Sequence, residues 1–155
     1  MGQSAGLLLY RRRGDAIEVL LVHPGGPFFA RRDDGAWTIP KGEFDASEAA
    51  IDAARREFHE ETGAVIDEEA HPLTPIRQAG GKRVVAFAVC ANFDPSTLSS
   101  NRFTIEWPPR SGRRQSFPEV DRAEWFDLVR AETKINPAQC VWLDEVHQLA
   151  VRAVP

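Results

Sequence analysis

Residues 47–62 (SEAAIDAARREFHEET) run without a glycine or proline and are mostly good helix formers, so this stretch must be accommodated as a helix by whatever the rest of the chain builds. Its ends are marked as well. Ser47 or Asp45 can cap the start, Asp45 standing three residues before Glu48 as in a capping box, and Gly63 suits the left-handed position just past the end. At 3.6 residues per turn, Glu57, Glu60 and Glu61 fall within a sector of roughly 100°, while Ile51, Ala54 and Phe58 fill a neighbouring sector that can face a core. Three like charges on one face repel by a few tenths of a kcal/mol per exposed pair, more where partly buried. On the helix alone two accounts stand equal: a solvated acidic face, or a cluster neutralised by a hard divalent cation such as Mg²⁺.

The segments around this helix read mainly as strands. Residues 5–12 (AGLLLYRR) and 17–23 (IEVLLVH) form an opening hairpin about Gly14 and Asp15. The glycines and prolines of residues 23–27 make a loop that continues to Gly35, and a short strand is expected over residues 36–40. Residues 83–93 make the clearest later strand, 103–107 another that Pro108 and Pro109 stop, 110–118 a basic loop, and 123–126 a short strand. Asn136 caps a last helix with Pro137 at its first position, and Val141, Leu143, Val146, Leu149 and Ala150 fall mostly on one apolar stripe. This order predicts an α/β fold with a mixed β-sheet between helices, and with no repeat or linker it predicts one domain over residues 1–155.

Charge and composition exclude several classes. The formal net charge of −4 is the wrong sign for a general nucleic-acid binder. It is also local: residues 42–64 carry seven acids against two bases, net −5, which leaves the remainder at +1, so a polyanionic ligand is not excluded. Cys90 and Cys140 lack the spacing of a zinc site or redox pair and read as buried thiols of a reducing compartment. No apolar run approaches membrane-spanning length and no signal segment is evident, which leaves a cytoplasmic protein as the expectation.

Gly42, Glu48, Arg56, Glu57, Phe58, Glu60, Glu61, Gly63 and Ala64 stand at spacings that resemble the Nudix box of the Nudix hydrolases. The fixed residue types would coincide by chance on the order of once in 10⁸ start positions at average usage. Trp37 to Gly42 (WTIPKG) also looks like the strand that leads into that box. The resemblance implies an α/β/α sandwich holding Mg²⁺ or Mn²⁺ against a diphosphate. It implies Glu57 and Glu61 as principal ligands, Glu60 sharing a second ion, and the Lys41 carbonyl as a further ligand. Gly42 would allow close backbone approach, and Arg56 would orient Glu57 or pair with Glu48. The chemistry implied is attack of water on phosphorus in a nucleoside tri- or polyphosphate or another nucleoside diphosphate derivative, with Glu57 and Glu60 in the catalytic set and Glu119 the better late-loop base. Asp121, Glu124 and Glu106 are weaker candidates. Dinucleoside polyphosphates and diphosphoinositol polyphosphates are the alternative substrates, and a nucleotide-sensing module without catalysis is the rival class.

For the substrate, Lys41, Arg83 and Arg113 are expected to meet phosphates and Trp37 to stack a base, each against the plainer reading of a solvated or core residue. His23 and His59 read as structural or exposed. The expected partner is therefore a small phosphorylated molecule, with no stable nucleic-acid partner and no membrane, and a homodimer is left open.

Overall fold

A computed structural model describes residues 2–152. Its first two strands, β1 (Gln3–Arg13) and β2 (Ala16–Pro24), form the antiparallel hairpin expected from the opening sequence. The central apolar run of β1 is buried on both sides of a sheet, which is why it does not alternate with polar residues. Next in the chain come β3 (Lys41–Phe44), α1 (Ala50–Thr62), and two short strands, β4 (Ala70–Pro72) and β5 (Ile76–Arg77). They are followed by β6 (Arg83–Cys90), β7 (Arg102–Glu106), β8 (Arg114–Pro118) and β9 (Val120–Asp127), and the chain ends in α2 (Leu128–Lys134) and α3 (Val141–Arg152).

Seven strands join in one mixed sheet of order β4-β6-β1-β2-β9, with β3 paired to β1 and β5 to β6; β1 and β6 run parallel and the other pairs antiparallel. One face packs Ala5, Leu7, Leu9 and Leu20 against Ala53, Ala54 and Phe58 of α1. The other packs Leu8, Tyr10, Val19 and Leu21 against Trp142, Leu143 and Val146 of α3 and Ala131 of α2. Helix, mixed sheet, helices is thus the α/β/α arrangement predicted.

Several local expectations are corrected. The short strand expected over residues 36–40 is not one: Trp37 and Thr38 make isolated bridges to Ile135 and Val22, and the strand proper begins at Lys41. α1 starts at Ala50 with Ala49 at its N-cap and no side-chain cap, because Asp45 is spent on the Ser47 N–H and hydroxyl in a preceding turn. Its C-terminal end is as expected, Gly63 lying at φ 86° with its N–H on the His59 carbonyl. The basic loop expected over residues 110–118 contains a strand, since β8 pairs with β7 in a separate two-stranded ribbon. Asn136 caps a short 3-10 turn at residues 137–139, just before α3. Neither thiol is buried as expected: Cys90 is exposed and Cys140 partly so. No helix among the described residues is long and apolar enough to cross a membrane.

Candidate active site

The pairing of β3 with β1 fixes Lys41 opposite Gly6 and Gly42 opposite Ala5, at the edge under which α1 passes. The approach there is extreme. A Cβ built on Gly42 would overlap the carboxylate of Glu57, so the strand carries glycine where the glutamate crosses it. Glu57 is 8% exposed, an unusual burial for a carboxylate without a dedicated partner.

That partner is Arg56. Its Nε and Nη2 grip both oxygens of Glu48 at 3.0 and 2.9 Å, and its Nη1 donates to Glu57 at 2.7 Å and to Glu60 at 3.2 Å. One planar guanidinium therefore fixes the rotamers of two glutamates on α1 from a third carboxylate in the preceding loop. Glu48 holds the Arg56 proton more tightly than usual, and Glu57 adds to this.

The remaining acids are less well compensated. Burial raises the pKa of Glu57 against the pull of Arg56, with the Glu60 charge acting in the same sense as burial. Glu61 is pushed up to about 8, first by burial and then by the charges of Glu57 and Glu119, although Lys41 offers it both charge and a backbone N–H. The Lys41 ammonium is itself lowered by burial and by nearby Lys82. Glu119 joins this group from the far side. Its N–H donates to the Asn101 carbonyl at 2.8 Å, the Asn101 N–H donates to the Glu60 carbonyl at 2.8 Å, and the Gly25 N–H donates to the Glu119 carbonyl at 2.9 Å. So clamped, Glu119 is raised by burial and by the Glu60 charge.

The site is thus four carboxylates, two of them helix neighbours of Glu57, served by one shared arginine and one lysine. The donor set is all oxygen and net negative, the character that suits a hard divalent cation. Among the described residues no three His, Cys, Asp or Glu side chains are already disposed to hold an ion by themselves. One or two carboxylates completed by water and substrate phosphates is the usual Mg²⁺ arrangement, so these residues fit the metal.

Other expected residues fall elsewhere. Trp37 is 1% exposed, edge-on to His23 and Phe126, with its Nε1–H donated to Asp33; it is part of the core and cannot stack a base, which corrects the expectation. Arg83 is tied to Gln3, and Arg113 lies in the exposed β7–β8 turn; among the described residues neither hydrogen-bonds to the glutamate cluster. His23 is structural, as expected: it is buried, and its ring nitrogens meet Asp121 and the Arg32 carbonyl at 2.8 and 2.7 Å. His59 is exposed. Asn101, whose backbone links Glu60 to Glu119, carries no signal in the sequence because its part is played entirely by main-chain atoms.

A family model described as NUDIX domain matches residues 2–146. The chain is 29% identical over 131 residues to an octanoyltransferase of Myxococcus xanthus, covering 83% of this chain and 32% of that protein. It is 37% identical over 94 residues to an 8-oxo-(d)GTP phosphatase of Mycolicibacterium smegmatis, covering 53% of this chain and 27% of that one. The chain thus spans about a third or less of the length of these curated relatives. Among solved structures, a C. elegans Ap4A hydrolase in a binary complex superposes with a TM-score of 0.69 at 23% identity, covering 98% of each chain, a likeness of fold alone. The box residues, the sandwich that presents them and a family match over nearly the whole chain agree: the chain belongs to the NUDIX domain family.

Proposed function

We propose that the chain is a divalent-metal-dependent pyrophosphohydrolase, cleaving a diphosphate linkage in a nucleoside tri- or polyphosphate or another nucleoside diphosphate derivative by attack of water on phosphorus. The observation that carries this reading is the arginine-braced pair Glu57 and Glu60, with Glu61 beside them on the same helix and Glu119 clamped across from them. The family membership and the partial match to an 8-oxo-(d)GTP phosphatase support it.

In this reading Glu57 and Glu61 hold Mg²⁺ or Mn²⁺, Glu60 shares a second ion, and the main-chain oxygen of Lys41 completes the set. The bound ion supplies neutralisation of the phosphate oxygens and acidifies water. Arg56 keeps Glu57 and Glu60 in place throughout. Glu119, made more basic by burial and by the Glu60 charge, accepts the proton of the attacking water. The water oxygen bonds to phosphorus, the bridging P–O bond breaks, and its electron pair leaves with the departing phosphate. The Lys41 ammonium, half-enclosed beside the carboxylates, offsets charge on the non-reacting phosphate.

The test is a panel of nucleoside triphosphates, dinucleoside polyphosphates, nucleotide sugars and diphosphoinositol phosphates with Mg²⁺ or Mn²⁺, both products being identified. Cleavage within a diphosphate linkage of the nucleotides is expected. Nucleotide binding with no phosphorylated product released from any member would replace the hydrolase by a sensing module.

A further inference from the structure

Beside Lys41 opens a cavity of about 590 Å³, walled by Phe29, Asp33, Asp34, Gln78 and Asn136 among others. Lys41 lines the cavity and is followed in β3 by Gly42, against which the Glu57 carboxylate lies, so the cavity begins one residue away from the carboxylates. Its hydrogen-bonding character is set from behind by Gln139, which is fully buried. The Ile39 N–H donates to Gln139 Oε1 at 3.1 Å, and because an N–H requires an acceptor this identifies which end of the amide is oxygen. The other end then donates to Thr38 Oγ1 at 2.8 Å and to Gln78 Oε1 at 2.9 Å.

Gln78 is thereby oriented. Its oxygen is turned inward on Gln139, its main chain is held by Lys82 and Gly81, and its NH₂ is the end with no partner among the described residues. Asn136 repeats the pattern: Oδ1 accepts from the Ala138 N–H at 3.0 Å, the backbone N–H donates to the Trp37 carbonyl at 2.7 Å, and Nδ2 is left unpartnered among the described residues. The Thr38 hydroxyl is engaged by Gln139 and the Ile39 carbonyl. Asp33 accepts from Trp37 and Lys134, and Asp34 from Lys134.

Among the described residues, the open donors of this cavity are the two amide NH₂ groups with Lys41 and Arg32, and its open acceptor is the second carboxylate oxygen of Asp34. A ligand that satisfies the amides presents acceptors. Phe29 offers an apolar surface to a flat ring beside the amides, so the acceptors set against them are those of a base. A glutamine that reads adenine uses both ends of its amide, acceptor to the exocyclic amine and donor to ring nitrogen, and at Gln78 the acceptor is spent.

We infer that this cavity seats the base of the nucleotide and selects keto bases (guanine, hypoxanthine, uracil) over amino bases (adenine, cytosine), through the fixed NH₂ of Gln78 with that of Asn136 in support. Gln139 is the positioning residue. The inference rests on the nucleotide reading proposed above.

The experiment compares kcat/KM for GTP, ITP and UTP with that for ATP and CTP in Mg²⁺. The wild type is expected to favour the keto group by about tenfold, the effect of one well-placed hydrogen bond. Gln78→Glu keeps an acceptor towards Gln139 but turns a second acceptor into the cavity, so the order reverses, through KM rather than kcat; Gln78→Leu removes the preference. Equal kcat/KM for the two groups in the wild type, or an unchanged preference in both variants, overturns the inference. If no triphosphate is cleaved, the hydrolase reading stands or falls on the rest of the panel, and calorimetric binding of GMP against AMP decides this inference. Tighter GMP binding that reverses in Gln78→Glu supports it, and equal affinities overturn it.

Discussion

A side chain as small as a methyl group on Gly42 would occupy the place of the Glu57 carboxylate. The backbone there is not at positive φ, so alanine meets no conformational penalty and its effect is confined to that contact. Gly42→Ala is therefore expected to push Glu57 off Arg56 and to lower Mg²⁺-dependent turnover by about 10²-fold, as displacements of order 1 Å in a catalytic group do. Turnover equal to wild type would show that Glu57 has no fixed position to lose. At this scale the acidic face was legible, because helical spacing alone brings Glu57, Glu60 and Glu61 together. The contacts of Arg56 and the clamp on Glu119 were not, since they depend on where a loop and a ribbon return in space. The place of Trp37 in the core is not legible either, because a tryptophan beside a strand has the same sequence whether it lines a cavity or fills the core.

The helix α1 shows why one boundary is readable and the other is not. Gly63 must adopt φ 86°, which glycine alone does at no cost, so the end of the helix is marked by a residue with no competing use. Asp45 had a competing use, in the turn at Ser47, and the capping box did not form. Gly63→Ala would impose that left-handed conformation on an L side chain and press a Cβ against Ser99 at 3.0 Å. A loss of about 1 kcal/mol is expected, read as a fall in Tm of about 2–4 °C for a chain of this size. An unchanged Tm would mean that the helix end frays without consequence. The elements that escaped sequence reading are short or polar: β4, β5 and α2 are too brief to establish a period, and β8 (RQSFP) alternates weakly because its ribbon stands apart from the core.

Over the whole molecule the layers were legible and the strand order was not. Apolar runs and one amphipathic helix indicate a sheet covered on both faces, but the parallel pairing of β1 with β6, some eighty residues apart, is decided by packing rather than by local pattern. The pairing of β2 with β9, also distant in sequence, is what returns Glu119 to the α1 glutamates, with a consequence for stability. Glu61 holds its proton up to about 8 in the folded chain against an ordinary 4.5, so the folded state binds more protons than the unfolded one across that interval. Metal-free protein should therefore lose stability as pH rises from about 4.5 towards 8, and Mg²⁺, which competes with those protons, should raise Tm more at pH 8 than at pH 5. A Tm insensitive to Mg²⁺ at both pH values would contradict metal binding at this cluster.

The central claim, that an arginine-braced carboxylate cluster drives metal-dependent cleavage of a phosphoanhydride, is tested most directly by Glu57→Gln. The substitution keeps the size of the side chain and an oxygen for Arg56 but removes the charge. The expected result is a fall of at least ~10²-fold in Mg²⁺-dependent turnover of the best nucleotide substrate, with the fold intact by circular dichroism. Turnover equal to the wild type in a folded Glu57→Gln protein would contradict the claim.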